Sequence, residues 1–398
     1  MATNLDAKLY TARGTTSAWY KGWDLDDAER EKFRRTSLAS IEAKARAQNG
    51  SCNAPKHPVP TPRLDPTALM PQLPRNRLRA LSLFSGGGGL DLGFDRAGFQ
   101  HVCSYEILDF AGDVLKAARP TWNVRSGELD GDVTQVDWRE YRGKVDVLHG
   151  GPPCQPFSHA GGRRGAEDVR DMFPEMVRAV AEIQPAAFVA ENVSGLATKR
   201  FGDYIETTIY KPLRDAYVLH SFTLEAADFG VPQRRRRVFF IGFRDQNAAR
   251  RFRKPDATHR WPGNGAEAGR SPTMGARLAL GLPDLGFDDL APTIRSGLTG
   301  PRHSTSVVNS STSMKQWDAL EIWPNGVAPD RASAAAFVAK NGHFRMSVAD
   351  CMILQGFPAS WPIVPPVYKA LGLIGNSVAP PMAYAVARAV ADALSDKA

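Results

Sequence analysis

From residue 79 onward the apolar positions change their period again and again. ALSLF (80–84) is a short, continuous apolar run that ends in glycines, and GLDLGFDRAGF (89–99) continues with apolar residues three and four apart. The same succession follows in HVCSYEI (101–107) and DFAGDVLKAARP (109–120), in KVDVLHGG (144–151) and MFPEMVRAVAEIQP (172–185), and ends in AAFVAEN (186–192). Short apolar runs bounded by glycine predict buried strands, and the 3.6-residue period predicts helices. Strands alternating with helices imply right-handed crossovers, hence an α/β fold with a doubly wound, mostly parallel sheet. VLHSFTLEAADFGVPQRRRRVFFIGF (218–243) adds strands expected to pair antiparallel at one edge.

Outside this stretch the pattern differs. Asp24 to Ala47 reads as an amphipathic helix with acidic residues in its first turn, and residues 51–77 hold prolines that forbid a continuous helix and predict an extended linker. Residues 244–344 lose the alternation and become rich in Gly, Pro, Ser, Thr and Arg; it returns in MSVADCMILQGF (346–357) and in MAYAVARAVADAL (382–394). Four segments are expected: an N-terminal extension and linker (1–77), a sheet domain (78–243), a smaller irregular domain (244–344) and a C-terminal return to the sheet domain (345–398).

Composition narrows the class. The 398 residues are 43% hydrophobic and 23% charged, which suits a soluble domain with a real core, and the net charge of +8 favours a polyanionic partner without proving one. The four cysteines (Cys52, Cys103, Cys154, Cys351) are far apart with no CxxC spacing, so neither a metal site nor a disulfide framework is expected. The start MATNLDAKLYTARG has no apolar core of a signal peptide, and no stretch reads as long and apolar enough to cross a bilayer; a cytoplasmic protein is expected.

LFSGGGGLDLGF (83–94) is a strand, a glycine turn and a helix start, where a ligand can approach the backbone beyond the carboxyl end of a strand. Glu106 ends the next strand, where an acidic side chain can take a ribose hydroxyl pair, and Asp132 in GDVTQVD is suited to an adenine amino group. Together they point to an adenosine-containing cofactor, with NAD and S-adenosylmethionine both open. GGPPCQPFSHAG (150–161) then sets Cys154 between prolines in a glycine-rich loop, an unusual setting for a cysteine that merely fills a core.

With PPCQPF the chain resembles the C5-cytosine DNA methyltransferases of the bacterial modification type. From Leu81 onward FSGGGGLDLGF, GGPPCQPFS, ENVSG, FGVPQRRRRVFFIGF, MSVADCMILQGFP and GNSVAPPMAYAVA match in order. The resemblance implies a Rossmann-like methyltransferase domain with residues 244–344 as target-recognition domain. It implies S-adenosyl-L-methionine as cofactor, held by Phe84, Ser85, Gly86, Gly88 and Gly89 of the glycine loop, by Glu106, Ile107, Asp132 and Val133, and by Gly151, Pro153, Met172, Asn376 and Val378. Duplex DNA is the implied partner of a monomer, with a cognate restriction endonuclease in the same system; a tRNA methyltransferase of the same fold, or a catalytically inactive DNA-binding relative, are the alternatives.

The chemistry accounts for the residue types. Carbon 5 of cytosine is too poor a nucleophile to take a methyl group directly, and addition of the Cys154 thiolate to C6 makes C5 electron-rich. Glu191 is placed to hydrogen bond N3 and to read the exocyclic amine. Alternation along a strand puts Arg235 and Arg237 on one face of QRRRR and Arg234 and Arg236 on the other. The resemblance assigns Arg237 to the base O2 and to orienting Glu191, with Arg235 nearby, while Arg234 and Arg236 face solvent or phosphate. The target must be flipped out of the duplex to be reached. Gln155, Ser158, Arg163, Arg164 and Gln233 are expected near the DNA, the stretch 158–173 as a closing loop, and Thr293, Arg295, Thr299, Arg302 and His303 as groove-reading candidates.

Overall fold

The computed structural model describes residues 57–153, 171–261, 269–298, 304–336, 342–364 and 366–395, together with Glu31, Arg35, Leu38 and Glu42. These last four are helical, with Arg35 bonding Glu31 one turn before it at 2.9 Å, in line with the helix expected over 24–47. Two compact units emerge, one of residues 65–274, 356–361 and 377–398 and one of residues 1–64, 275–355 and 362–376.

The first unit is built on seven strands: β1 (Arg79–Leu83), β2 (Gln100–Glu106), β3 (Val124–Ser126), β4 (Val147–Gly150), β5 (Ala187–Val193), β6 (Val218–Glu225) and β7 (Arg236–Phe243). Their order is β3-β2-β1-β4-β5-β7-β6. All neighbours are parallel except that β7 runs against both β5 and β6, as the antiparallel edge expected from 218–243 requires. The helices α1 (Gly89–Arg96), α2 (Asp109–Ala118), α3 (Phe173–Ile183) and α4 (Gln246–Arg251) connect or follow these strands. Leu81, Leu83, Phe173, Val180, Phe188 and Phe240 meet in the core, so the central strands read as unbroken apolar runs because both their faces are covered.

Glycine spacing decides how closely the helices approach. A Cβ on Gly89 would lie 2.2 Å from the Val378 carbonyl oxygen, and one on Gly93 would lie 2.6 Å from Ala383 Cβ and from Tyr384 N. The two glycines, one turn apart on α1, therefore seat the C-terminal segment, Gly89 against Val378 and Gly93 against the helix Pro380–Leu394 that follows. The run Val367–Leu394 is long and apolar enough by composition to cross a membrane, contrary to expectation; most of its apolar stretch is buried within the protein, as in a core helix.

Two expectations need correction. Residues 65–77 do not form a free linker: Leu73 N donates to Arg96 O at 2.9 Å, Asn76 N to Gly98 O at 2.8 Å, and Arg75 Nη2 pairs with Asp95 Oδ1 at 2.6 Å. Proline opens a short 3-10 turn at Pro66–Leu69, capped by Asp65, and the extended chain after it satisfies its N–H groups by docking. The units also divide at 274/275 and 355/356 rather than at 244 and 344. The chain leaving β7 stays with the sheet because Phe252 packs on Phe243 and Phe222, with centroids 5.2 and 6.0 Å away.

The second unit has a core of its own. The parallel pair β8 (Ile322–Ala328) and β9 (Phe344–Ser347) lies beside the helix Ser311–Ala319, which Ser310 and Ser313 close with a capping box. Trp317 is fully buried, and the Arg277 guanidinium, also buried, donates to the carbonyls of Leu320 and Pro283.

Candidate active site

The carboxyl ends of β1, β2, β4 and β5 lie along one edge of the sheet, since Leu83 pairs with Tyr105 and Gly150, and Gly150 with Ala190. In an open α/β sheet this edge forms the ligand crevice. Glu191, in the last turn of β5, is 5% exposed and forms an ion pair through Oε1 with Arg237 Nε at 2.8 Å. Register explains the pair: Val193 sits opposite Arg237 and Glu191 opposite Phe239 on β7. The other carboxylate oxygen lies 3.0 Å from where a Cβ of Gly151 would stand, so only glycine leaves the carboxylate its ordinary clearance there. Burial pushes the Glu191 carboxyl above the usual range, with the Arg237 and Arg235 charges pulling the other way.

Asn192 received no role from its sequence, although it stands next to Glu191. Its side chain is buried, and Nδ2 donates to the carbonyl of Pro152 at 3.0 Å while Val193 N donates to its Oδ1 at 2.9 Å. It thereby anchors the two prolines that precede Cys154. Cys154, Gln155, Ser158, Arg163 and Arg164 lie outside the described residues, as do Thr299, Arg302 and His303.

The alternation expected in QRRRR holds: Arg235 and Arg237 are buried, Arg236 is exposed and Arg234 half-buried. Arg235 is wholly enclosed, and its Nη2 donates to the Ser377 carbonyl at 2.6 Å, tying the start of β7 to the segment before the C-terminal helix. Gln233 is equally inaccessible. Arg234 stacks over Trp261 at 5.2 Å.

On the cofactor side, Phe84 turns the chain out of β1 with φ of 56° and Gly86 follows with φ of 53°. Apart from a backbone oxygen at 3.9 Å, the space beside Gly86 is open, whereas Gly88 and Gly89 are filled by internal packing. Glu106 ties this turn down: Oε2 accepts from Gly86 N at 2.7 Å and Oε1 from Leu108 N at 2.9 Å. Burial pushes its carboxyl up, against the bonds from Leu108 and Gly86. Ile107 follows half-buried, Asp132 accepts from Thr134 N and Oγ1 at 2.9 and 2.8 Å, and Val133 and Met172 are buried. Beneath the loop Asp91, buried in α1, accepts from Ser85 and Ser104 hydroxyls at 3.2 and 2.7 Å, a support that a charge within GLDLGF did not announce. Asn376 is exposed at the end of the helix Val367–Asn376 in the second unit. Thr293 and Arg295 lie half-buried in that unit as well, with Arg295 Nη1 3.5 Å from the Val308 carbonyl.

Known proteins place the chain in a family. The chain is 32% identical over 333 residues to the Type II methyltransferase M.NgoMIV of Neisseria gonorrhoeae, covering 79% of this chain and 97% of that one. It is 31% identical over 348 residues to M.FnuDI of Fusobacterium nucleatum, covering 80% and 96%. Among solved structures, a putative prophage-encoded DNA modification methyltransferase from E. coli superposes over 80% of this chain and 99% of its own, with a TM-score of 0.54 at 22% identity. A mutant of the Spodoptera frugiperda DNMT2 superposes over 79% of this chain and 99% of its own, with a TM-score of 0.51 at 17% identity; both likenesses bear on the fold alone. The sequence profile of the C-5 cytosine-specific DNA methylases matches residues 78–276 and 292–392, and the chain belongs to that family.

Proposed function

We propose that the chain methylates carbon 5 of a cytosine flipped out of duplex DNA, as the modification enzyme of a restriction system. The observation that carries this reading is the buried Glu191–Arg237 pair at 2.8 Å, beside Gly151 and the Asn192-anchored prolines that lead into Cys154. Cys154 is the nucleophile: its thiolate adds to C6, a new S–C bond forms, and the electron pair moves toward C5 and N3. Glu191, held on Arg237 at the mouth of the crevice, is the side chain assigned to hydrogen bond N3 as negative charge builds there. Arg237 spends Nε on Glu191 and Nη1 on the Arg236 carbonyl, so its Nη2 edge is the one assigned to the base O2. Once C5 has formed its bond to the methyl group, loss of the C5 proton to a base expels the thiolate and restores the aromatic ring. Arg235, grouped by sequence with the catalytic set, is assigned to positioning, since its buried guanidinium is held on Ser377.

The residues at the glycine loop fit S-adenosylmethionine: an open cradle at Gly86 that a Cβ would narrow, and an acidic side chain at the end of β2. When bound, that cofactor supplies an electrophilic methyl group. Phe84, Ser85 and Gly86 would lie along its methionine part, Glu106 and Ile107 at the ribose, and Asp132 and Val133 at the adenine. The second unit is assigned to target recognition through Thr293, Arg295, Arg302 and His303. Gln155, Ser158, Arg163 and Arg164 are assigned to DNA around the flipped base.

A duplex with 5-fluorocytosine at the target tests the reading, because fluorine cannot leave as a proton. The native protein is expected to become covalently attached to it, and Cys154→Ser is expected to form no adduct and transfer no methyl group, a hydroxyl being far less ionised than a thiol. Equal adduct formation by the Ser variant rules Cys154 out. Tritiated methyl transfer to duplex DNA and to tRNA, side by side, separates a DNA enzyme from an RNA enzyme of the same fold.

A further inference from the structure

The amino ends of the parallel strands, opposite the crevice, carry a different surface. Backbone bonds set its members in a row: Asp146 N donates to Arg79 O at 2.9 Å, Ala187 N to Asp146 O at 3.0 Å, and Arg244 N to Ala186 O at 3.0 Å. Arg79 Nη2 holds the Gly143 carbonyl at 3.0 Å, which brings Lys144 beside it. Arg142 grips the Glu182 carbonyl at 3.1 and 3.0 Å, and Arg244 Nη1 the Gln184 carbonyl at 2.9 Å, two residues further along the chain. Arg250 and Arg253 follow at the end of α4, and Arg77 stands on the other flank before β1.

Several carboxylates here are already engaged. Asp146 pairs with Arg79, Glu182 with Arg178 and Asp95 with Arg75 and Arg119, while Asp245 caps α4. Among the described residues Arg77, Arg142, Lys144, Arg244, Arg250 and Arg253 are all exposed and have no carboxylate partner. Capping the negative end of α3 explains where Arg142 and Arg244 sit, but it does not explain Arg77, Lys144 or Arg250. Four strands about 4.8 Å apart make this row about 15 Å wide before its flanks are added, enough to reach across a groove about 12 Å wide.

We propose that this edge is a second DNA surface, which binds backbone phosphates of a duplex segment other than the one held at the crevice. Guanidinium groups match phosphate geometry and read no bases there. A protein partner fits less well, because protein interfaces centre on apolar or aromatic anchors and, among the described residues, the one large exposed apolar side chain at this end is Val218. A single segment cannot serve both edges: β5 separates them by about 20 Å, and wrapping a short duplex that far costs several kcal/mol of bending. The second surface keeps the protein on long DNA while the crevice searches.

Sedimentation at low salt with excess 14-base-pair duplex tests this, using Arg77→Glu, Lys144→Glu and Arg250→Glu combined; among the described residues none of these side chains bonds a helix-end carbonyl. The native chain is expected to hold two duplexes and the triple variant one, with an unchanged melting temperature. Transfer to a short duplex carrying the target site should be unaffected, while sites methylated per encounter on kilobase DNA should fall severalfold. The Cys154→Ser variant should keep both duplexes, so failure of the chemistry and failure of this surface are told apart. One duplex on the native chain, or two on the triple variant, overturns the proposal. So does a polyglutamate competitor whose binding alone depends on these three residues, which would point to an acidic protein.

Discussion

Replacing Asn192 with Ala isolates the anchoring of the prolines before Cys154. The side chain is 2% exposed, its amide donates to the buried Pro152 carbonyl at 3.0 Å, and its oxygen accepts from Val193 N at 2.9 Å. Val193 is only half-buried, so its N–H can turn to water, whereas the Pro152 carbonyl has lost its partner inside the protein. An orphaned buried acceptor costs about 1–3 kcal/mol. If that cost is met locally, by the prolines shifting, kcat is expected to fall about five- to 150-fold. Cofactor affinity should fall less than kcat, because Gly86 and Glu106 are bonded to each other and only Gly151 and Pro153 of the expected cofactor contacts lie in this segment. Single-turnover transfer of a tritiated methyl group, calorimetric titration with S-adenosylmethionine and thermal melting separate the outcomes. Asn192→Asp keeps the acceptor but points a carboxylate at a carbonyl, so it should be no better than Ala. A native rate in either variant, with native melting, would show that the bond positions nothing.

Three further outcomes are expected. Glu106→Ala removes the acceptor of both Gly86 N and Leu108 N, so S-adenosylmethionine affinity should drop about five- to a hundredfold, and unchanged calorimetric affinity removes Glu106 from the cofactor site. Gly93→Ala forces a Cβ to within 2.6 Å of Ala383 Cβ, and separating the two helices should cost about 1–3 kcal/mol, read as a lower urea midpoint; an unchanged midpoint refutes the tight contact. His149, buried and stacked on Phe94, has its pKa lowered from 6.5 to about 4 by burial, so the folded chain binds fewer protons than the unfolded one. Its contribution is complete above pH 6.5 and is lost as pH falls toward 4, a loss of about 3 kcal/mol. His149→Phe should flatten stability against pH in that window, and an unaltered slope there would mean His149 titrates normally.

Much of the fold was legible because each local pattern reports which side of an element is covered. Alternating runs from Arg79 to Asn192 predicted the strands and helices of this stretch apart from the three-residue edge strand β3, too short to show a period, and two-residue alternation in QRRRR separated buried Arg235 and Arg237 from Arg236. Glu106 was singled out because it ends its strand and Glu191 because ENVSG resembles a family motif, and the sheet brings both to the edge where parallel strands end. What stayed hidden were bonds between distant parts of the chain. Asn192 meets Pro152 across 40 positions and Arg235 meets Ser377 across 142, and no pattern local to either residue records such a partner. The glycine loop shows the same division: its composition announced close approach, but only packing assigned Gly89 to Val378 and left Gly86 open. The proline stretch likewise announced extended chain, while its docking on Arg96 and Gly98 depended on carbonyls that a folded α1 presents. The second unit's core and its boundary at residue 275 also waited on the fold. Periodicity encodes burial, whereas the identity of what does the burying is settled only when remote segments are brought together.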